Sequence, residues 1–572
     1  MNHQIFRNIK LAGILALATL LASCGVETTT TSDVPQPTPT QAARILTQAT
    51  FGPTIEDINR IQNIGTGAWF NDQFNKPQTR HFDYVVNALP HPPTNNGVDD
   101  STFQQSFWKQ AITGEDQLRQ RVTFALSQIF VISFQNDTLA SMPRGVASYY
   151  DMLGAHAFGN FRNLLEDVTK HPMMGIYLSA LRNQKTVGAR VPDENYAREV
   201  MQLFTIGLKK LNPVTGLDTG NPTYTNDDIK GLAKVFTGWS WAGSDKSNSR
   251  FNSSPTDTNA AYVDPNRDWL PMQNYSQFHE LLQRNDTSAS SVEISKSVLY
   301  TETTLPGSTL GAVISDGTSG EDSLKIALDK LFNHPNVGFF IGRQLIQRLV
   351  TDNPSQAYIA RVATAFNDNG NGVRGDMKAV VRAILLDNEA INTPTANTAG
   401  KLREPVIRLA NWMRAFHATS ASGNFLVGRT DDPLRTLAQT PMRSPSVFNF
   451  YRPEYQAPNT SLATAGLLAP EFQITDETSV FGYLDYMRNA VPNGVGTNRE
   501  IKADYAPYLA LAGTPDLLLD RISLLLMQNN MSPALRLQIK NAFDSNKSNS
   551  AANIVYLAVF LTMASPEYIT QK

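Results

Sequence analysis

From Gln41 to the C-terminus, apolar residues recur at steps of three and four. Val337, Phe340, Ile341, Leu345, Ile346 and Leu349 fall on one face of a helix, as do Leu118, Val122, Ala125 and Ile129. Met377, Val380, Val381, Ile384 and Leu385 repeat the pattern. Start signals agree with it. Thr514-Pro515-Asp516 and Ser532-Pro533 each place a capping residue before a proline that suits the first turn. Alternating β-branched runs are scarce. The sequence predicts a mainly α protein, a single large multi-helix body over residues 41–572, interrupted by an irregular, Ser-, Asn- and Gly-rich insertion at about 242–320. That insertion is expected to be a surface excursion, with a small hairpin near 298–310. A second polar loop is expected at 488–504. The nearly all-apolar stretch Ile554 to Met563 predicts a helix buried against others. No repeat of fixed period points to a solenoid.

The only cysteine, Cys24, ends the run Leu21-Ala22-Ser23-Cys24, after Arg7, Lys10 and an apolar stretch. This is the layout of a secretory signal peptide, over residues 1–23. A cysteine directly after the small residues resembles the bacterial lipobox and makes Cys24 the expected lipidation site, with a plain signal peptide as the alternative. The apolar stretch falls short of the roughly 20 residues needed to span a bilayer. Residues 24–40, with Thr28 to Thr31 and Pro35, Pro37 and Pro39, read as the lipidated N-terminus and a flexible tether. Gly25 stands where a membrane-retention signal would place aspartate, which favours the outer membrane.

With Cys24 acylated, no thiol is left for disulfides or thiolate metal sites, so stability must come from an ordinary core. The 41% hydrophobic content supports one. The chain carries 49 Lys and Arg against 51 Asp and Glu, and loss of Arg7 and Lys10 with the leader takes the net charge from −2 to −4. This near balance excludes nucleic acid as a bulk electrostatic partner.

Several blocks then stand out: AARILTQATFGP (42–53), DENYAREVMQLFTIGL (193–208), TNDDIKGLAKVFTGW (225–239), LFNHPNVGFFIGRQLIQRLV (331–350), GVRGDMKAVVRAILLD (372–387), KLREPVIRL (401–409) and RSPSVFNFYRPEY (443–455), with ASPEY near the end. In this order they resemble the bacterial domain of unknown function numbered eighteen hundred, from about Ala42 onward. The resemblance implies an exported protein without an established activity. It also implies a co-exported partner from a second family, numbered fifteen hundred and one, that looks alkaline-phosphatase-like. Many members carry a Trp-His-Asn-His-like run where this chain has Phe124 to Phe130, so a metal role for that helix is not expected here.

Gly370-Asn371-Gly372-Val373-Arg374-Gly375 matches G-x-G-x-x-G, but the segment before it has helical period where a nucleotide site needs a strand. No nucleotide cofactor is expected. The loop reads as a helix–helix turn with Asp376 capping the next helix; the alternative is a weak calcium site using Asp368 and Asp376. Gly238-Trp239-Ser240-Trp241-Ala242 lacks the last glycine of a nucleophile elbow. The helix around 193–208 offers a candidate polar site. Asn195, Glu199 and Gln202 lie at i, i+4 and i+7 beside an apolar stripe, and Arg198 can pair with Glu194. These residues are either the polar flank of a core helix or, with His279 and His334, part of a functional pocket. The 443–453 segment concentrates aromatics and prolines; exposed it would suit a peptide or glycan, and buried it is a loop folded onto the core. Function divides accordingly: an exported, lipid-anchored envelope protein acting as a binding or assembly partner, or a hydrolase-like enzyme, acid–base or metal-assisted, acting on an envelope polymer.

Overall fold

A computed structural model describes residues 36–88, 98–282, 294–394, 399–545 and 550–572. Cys24, the signal peptide and most of the tether lie outside the described residues. Helices dominate, and the strands pair only in two-stranded antiparallel ribbons. The mainly α expectation holds. One contiguous cluster of buried apolar side chains includes residues from Ala42 to Tyr568.

The periodic segments form helices where their spacing placed them: Gln117–Ser127, Asn336–Leu349, Met377–Leu385, Pro515–Met527 and Pro533–Asp544. Ser532 caps the last of these by accepting the Leu535 N–H. Ala551–Ala564 buries Val555, Ala558, Val559 and Met563 against the Glu477–Asn493, Pro515–Met527 and Pro533–Asp544 helices. Gly338 and Gly342 let the Asn336–Leu349 helix lie close on Gln356–Asn367; a Cβ at Gly342 would meet Val362 at 2.9 Å.

Three expectations need correction. The 193–208 helix is shorter, Asn195–Gln202. The chain leaves it in a turn in which Ile206 and Gly207 N–H both donate to Met201 O (3.0 and 2.9 Å), with Gly207 at φ +69°. The Glu477–Asn493 helix extends into the second predicted loop, which shrinks to the residues after Gly494.

The third concerns the insertion. Its backbone is irregular as expected, but it is packed rather than peripheral. Phe251, Tyr275, Val298 and Leu299 are fully buried. Polar side chains organise it by satisfying backbone carbonyls: Arg267 donates to Ser254, Pro255 and Asp257 O and lies 4.4 Å over the Trp241 ring. A buried ion pair, Arg144–Asp268 at 3.0 Å, ties it to the Pro143–Ala155 helix. The predicted hairpin is a two-residue pairing of Ser297–Val298 with Ala312–Val313.

Four buried histidines are held neutral, chiefly by burial: His81, His279 and His334 are lowered to about 4, and His171 to about 3. His81 uses both ring nitrogens, on Ser106 Oγ (2.9 Å) and Gln120 Oε1 (3.0 Å). An unfolded chain takes up these protons near pH 6.5. The histidines' stabilisation is therefore complete above pH 6.5 and is lost as pH falls towards 4. Asp151, raised to about 7 by burial, acts in the opposite sense, as do the raised carboxyls of Asp352 and Glu199, and four histidines outweigh these three. Thermal unfolding should give a Tm several degrees lower at pH 5 than at pH 7.5. An equal or higher Tm at pH 5 would contradict this picture of the core.

Candidate functional site: a cleft on the Asn336–Leu349 helix

A cleft of about 390 Å³ opens on one face of the Asn336–Leu349 helix. That helix supplies its floor: Phe339, Phe340, Arg343, Gln344, Gln347 and Arg348. Residues three and four apart share a helix face, so Gln344, Gln347 and Arg348 stand together. The turn and hairpin after the Asn195–Gln202 helix form one wall, through Ile206, Leu208, Lys209 and Asp218. Val447, Phe448, Arg452, Pro453 and Glu454 form the other, and Gln128, Gln202 and Gln356 add amides.

Both ends of the floor helix are tied down by distant residues. At its start, His334 Nδ1 accepts the Asn336 N–H (3.1 Å). The Asn336 side chain donates to Ile206 O and Lys209 O (2.8 and 2.7 Å) and accepts from Leu211 N (3.0 Å), fixing the hairpin wall. Gly207 and Gly216, both at positive φ, let the wall press onto the rings of Phe340 and Phe339. At the helix's end the last carbonyls are buried. Lys401 Nζ donates to Gln347 O and Arg348 O (2.7 and 3.2 Å), Arg121 Nη2 to Arg348 O (2.7 Å), and Gln571 Nε2 to Leu349 O and Val350 O (3.2 and 3.1 Å).

Around this end lies a buried ionic cluster. Lys401 pairs with Glu471 at 2.9 Å, both nearly inaccessible. Glu404 accepts from Gln128 (2.5 Å) and Gln439 (2.8 Å). Burial opposes its charge, but Lys401, Arg121 and these two amides hold its carboxyl below the usual range. Asp352, beside Glu471, is pushed well above the usual carboxylate range by burial and then by its neighbour's charge. Several buried polar atoms here have no protein partner, including Arg121 Nε and Nη1, Arg348 Nε, Gln344 Nε2, Gln128 Oε1 and Gln347 Oε1. Buried polar atoms are nearly always satisfied, so this concentration points to a ligand or water at the floor.

Of the predicted polar-site residues, Gln202 alone lines this cleft, its Oε1 accepting from Tyr224 OH (3.2 Å), while the 443–453 segment that the sequence singled out supplies Val447, Phe448, Arg452 and Pro453. Glu199 is buried with its carboxyl pushed up by burial against the opposing Arg198, and its Oε2 has no partner. Arg198 and Glu194 pair at 3.8 Å on the surface, and Asn195 is exposed. His279 sits in the insertion, Nδ1 on Thr237 O (2.9 Å) and Nε2 3.5 Å from Lys296 Nζ. His334 serves the floor helix's first turn. No hydrogen bond or ion pair joins Glu199 to either histidine. Asp368 Oδ1 accepts from Gly370 and Gly372 N (2.8 Å each), and Asp376 caps Met377–Leu385 through the Ala379 N–H while accepting from Asn369 Nδ2. Both carboxylates thus serve the turn, as the helix–helix reading expected. Among the described residues, no group of three or more His, Cys, Asp or Glu is arranged to hold a metal.

Sequence reading missed Arg121, Gln344, Gln347, Arg348, Lys401, Glu404 and Glu471. Gln344, Gln347 and Arg348 carry the same border-of-the-stripe signal that singled out Asn195, Glu199 and Gln202.

The blocks that stood out in the sequence meet here: 193–208, 331–350 and 443–455 line the cleft, and 401–409 supplies Lys401 and Glu404 beneath it. The family described as a protein of unknown function, DUF1800, matches residues 44–570. The chain belongs to that family. No curated protein and no solved structure matches it. What this DUF1800 protein does must therefore be argued from its own cleft.

If Asn336 holds the hairpin wall, Asn336→Ala should destabilise the protein by about 2 kcal/mol, because it orphans buried carbonyls. It should also open the 209–222 hairpin to limited proteolysis. A cleavage pattern identical to the wild type would show that the wall is held by other contacts.

Proposed function

We propose that this DUF1800 protein is an exported, lipid-anchored envelope protein that binds a co-exported protein, holding a polar segment of it in the cleft. The observation that carries the reading is the cleft floor, where unpartnered amide donors and acceptors share the lining with the phenyl rings of Phe339, Phe340 and Phe448. Such a surface matches a peptide, whose backbone offers both donors and acceptors. The anchor rests on the sequence: Cys24 after Leu21-Ala22-Ser23, and the polar tether behind it. No helix among the described residues is long and apolar enough to cross a membrane, so attachment would fall to the lipid. The outer membrane is the proposed location, and the alkaline-phosphatase-like family implied by the resemblance is the proposed partner. In the alternative reading, an enzyme acting on an envelope polymer, chemistry would fall to the cleft rather than to Glu199, His279 and His334.

Two experiments test this. In cell fractionation, wild-type protein should follow the outer membrane and Cys24→Ser should not; unchanged processing and membrane association would remove the lipoprotein reading. In mild detergent, the co-exported protein should co-purify with the wild type and be lost with Phe448→Glu, which puts charge on a half-buried wall without touching the core. Repeated absence of co-purification, or retention by Phe448→Glu, would overturn the partner-binding role of the cleft.

A further inference from the structure

We propose that the cleft is built to take a carboxylate, carried by an acidic side chain of a bound peptide, on Arg348 and Gln344. This deepens the binding reading above and rests on it. Arg348 and Gln344 are one helical turn apart on the Asn336–Leu349 helix, 2% and 6% exposed, and both line the cleft. Each has a donor with no acceptor in the protein, Arg348 Nε and Gln344 Nε2.

The charge around them is unevenly answered. Lys401 has Glu471 as its partner, and Lys401 and Arg121 both donate to the negative end of the floor helix. Arg348 donates only to the neutral Gln128 carbonyl (3.1 Å), stands 5.8 Å over the Tyr451 ring, and forms no ion pair among the described residues. Glu404 accepts from Gln128 and Gln439 through Oε2 alone, leaves Oε1 without a hydrogen-bond partner, and makes no ion pair with Arg348. A buried, unpaired guanidinium is costly, and a single acceptor that fits it recovers much of that cost. A guanidinium edge beside one amide donor suits the two coplanar oxygens of a carboxylate. A phosphate would call for more than the one buried cation, Arg348, that lines the cleft. The rim adds Lys209, Arg343 and Arg452 against Asp218 and Glu454, which leaves the entrance mildly favourable to an acid. Gln128 and Gln347 have unpartnered oxygens for peptide N–H groups, and the phenyl walls suit apolar neighbours of the acidic residue.

The test is isothermal titration calorimetry on the purified full-length protein in detergent. The probes are capped tripeptides with a central Glu and Phe, Leu or Ala on either side, and their central-Gln counterparts. The Glu peptides should bind at least about tenfold more tightly than the Gln peptides. The preference should vanish in Arg348→Gln and fall several-fold in Gln344→Leu, which preserves volume and keeps the test decisive if the arginine variant does not fold. Equal binding of Glu and Gln peptides would overturn the carboxylate inference while leaving the peptide-binding reading intact. No binding by any tripeptide, or tighter binding of glucuronate or inorganic phosphate, would overturn it as well, and co-purification would then decide the partner reading separately.

Discussion

The C-terminal end of the Asn336–Leu349 helix is buried, and its carbonyls must find donors from elsewhere in the chain. They find them in Arg121, Lys401 and Gln571, residues more than fifty positions away at the nearest and over two hundred at the farthest. An α-helix leaves its last four carbonyls without internal partners, and each one buried unanswered would cost on the order of 1–3 kcal/mol. Cations are especially effective here, since the helix end carries a partial negative charge. This one junction therefore joins an early helix, a middle strand and the last strand of the chain. The pairing of Lys401–Leu402 with Thr570–Gln571 places two of the three donors side by side.

The same junction sets the chemistry of the cleft. Residues whose backbone is capped on the buried side, Gln347 and Arg348, present their side chains to the cleft. A floor built this way is rigid, because its side chains are carried by a helix pinned at both ends. It is also polar without being satisfied. A half-satisfied buried network is unfavourable in an ordinary core, so its survival at a concave surface is the physical argument for a binding site. Burying Lys401, Glu471 and Asp352 together costs desolvation. One part of that cost is relieved by keeping Asp352 neutral beside Glu471.

Much of the fold was legible in the sequence, for a local reason. Apolar period and capping residues belong to contiguous stretches, so Asn336–Leu349, Met377–Leu385, Pro515–Met527 and Pro533–Asp544 could be read directly. The reading went wrong where tertiary contacts override local pattern. The Asn195–Gln202 helix ends early because Gly207 adopts a left-handed turn against Phe340. The insertion looked too polar to pack, yet Arg267, and Arg144 from the Pro143–Ala155 helix, help to bury it around Phe251, Tyr275, Val298 and Leu299 by donating to carbonyls and pairing with a carboxylate. The candidate site was legible at Gln202 and in the aromatic 443–453 segment. Arg121, Lys401, Glu404 and Glu471 converge from segments whose proximity no local spacing reveals. Glu199, His279 and His334 had plausible chemistry, and each histidine bonds to its own neighbours: His279 to Thr237 and His334 to Asn336.

The central claim is that the capped helix end holds the molecule together, and Lys401 is its most informative member. Replacing it with methionine keeps the volume of the stem but removes the donor to two carbonyls and leaves Glu471 without its cation. Chemical unfolding of Lys401→Met should show a loss of about 3–5 kcal/mol, the scale for breaking a buried ion pair. A variant within about 0.5 kcal/mol of the wild type, as expected for an ordinary surface change, would contradict the account.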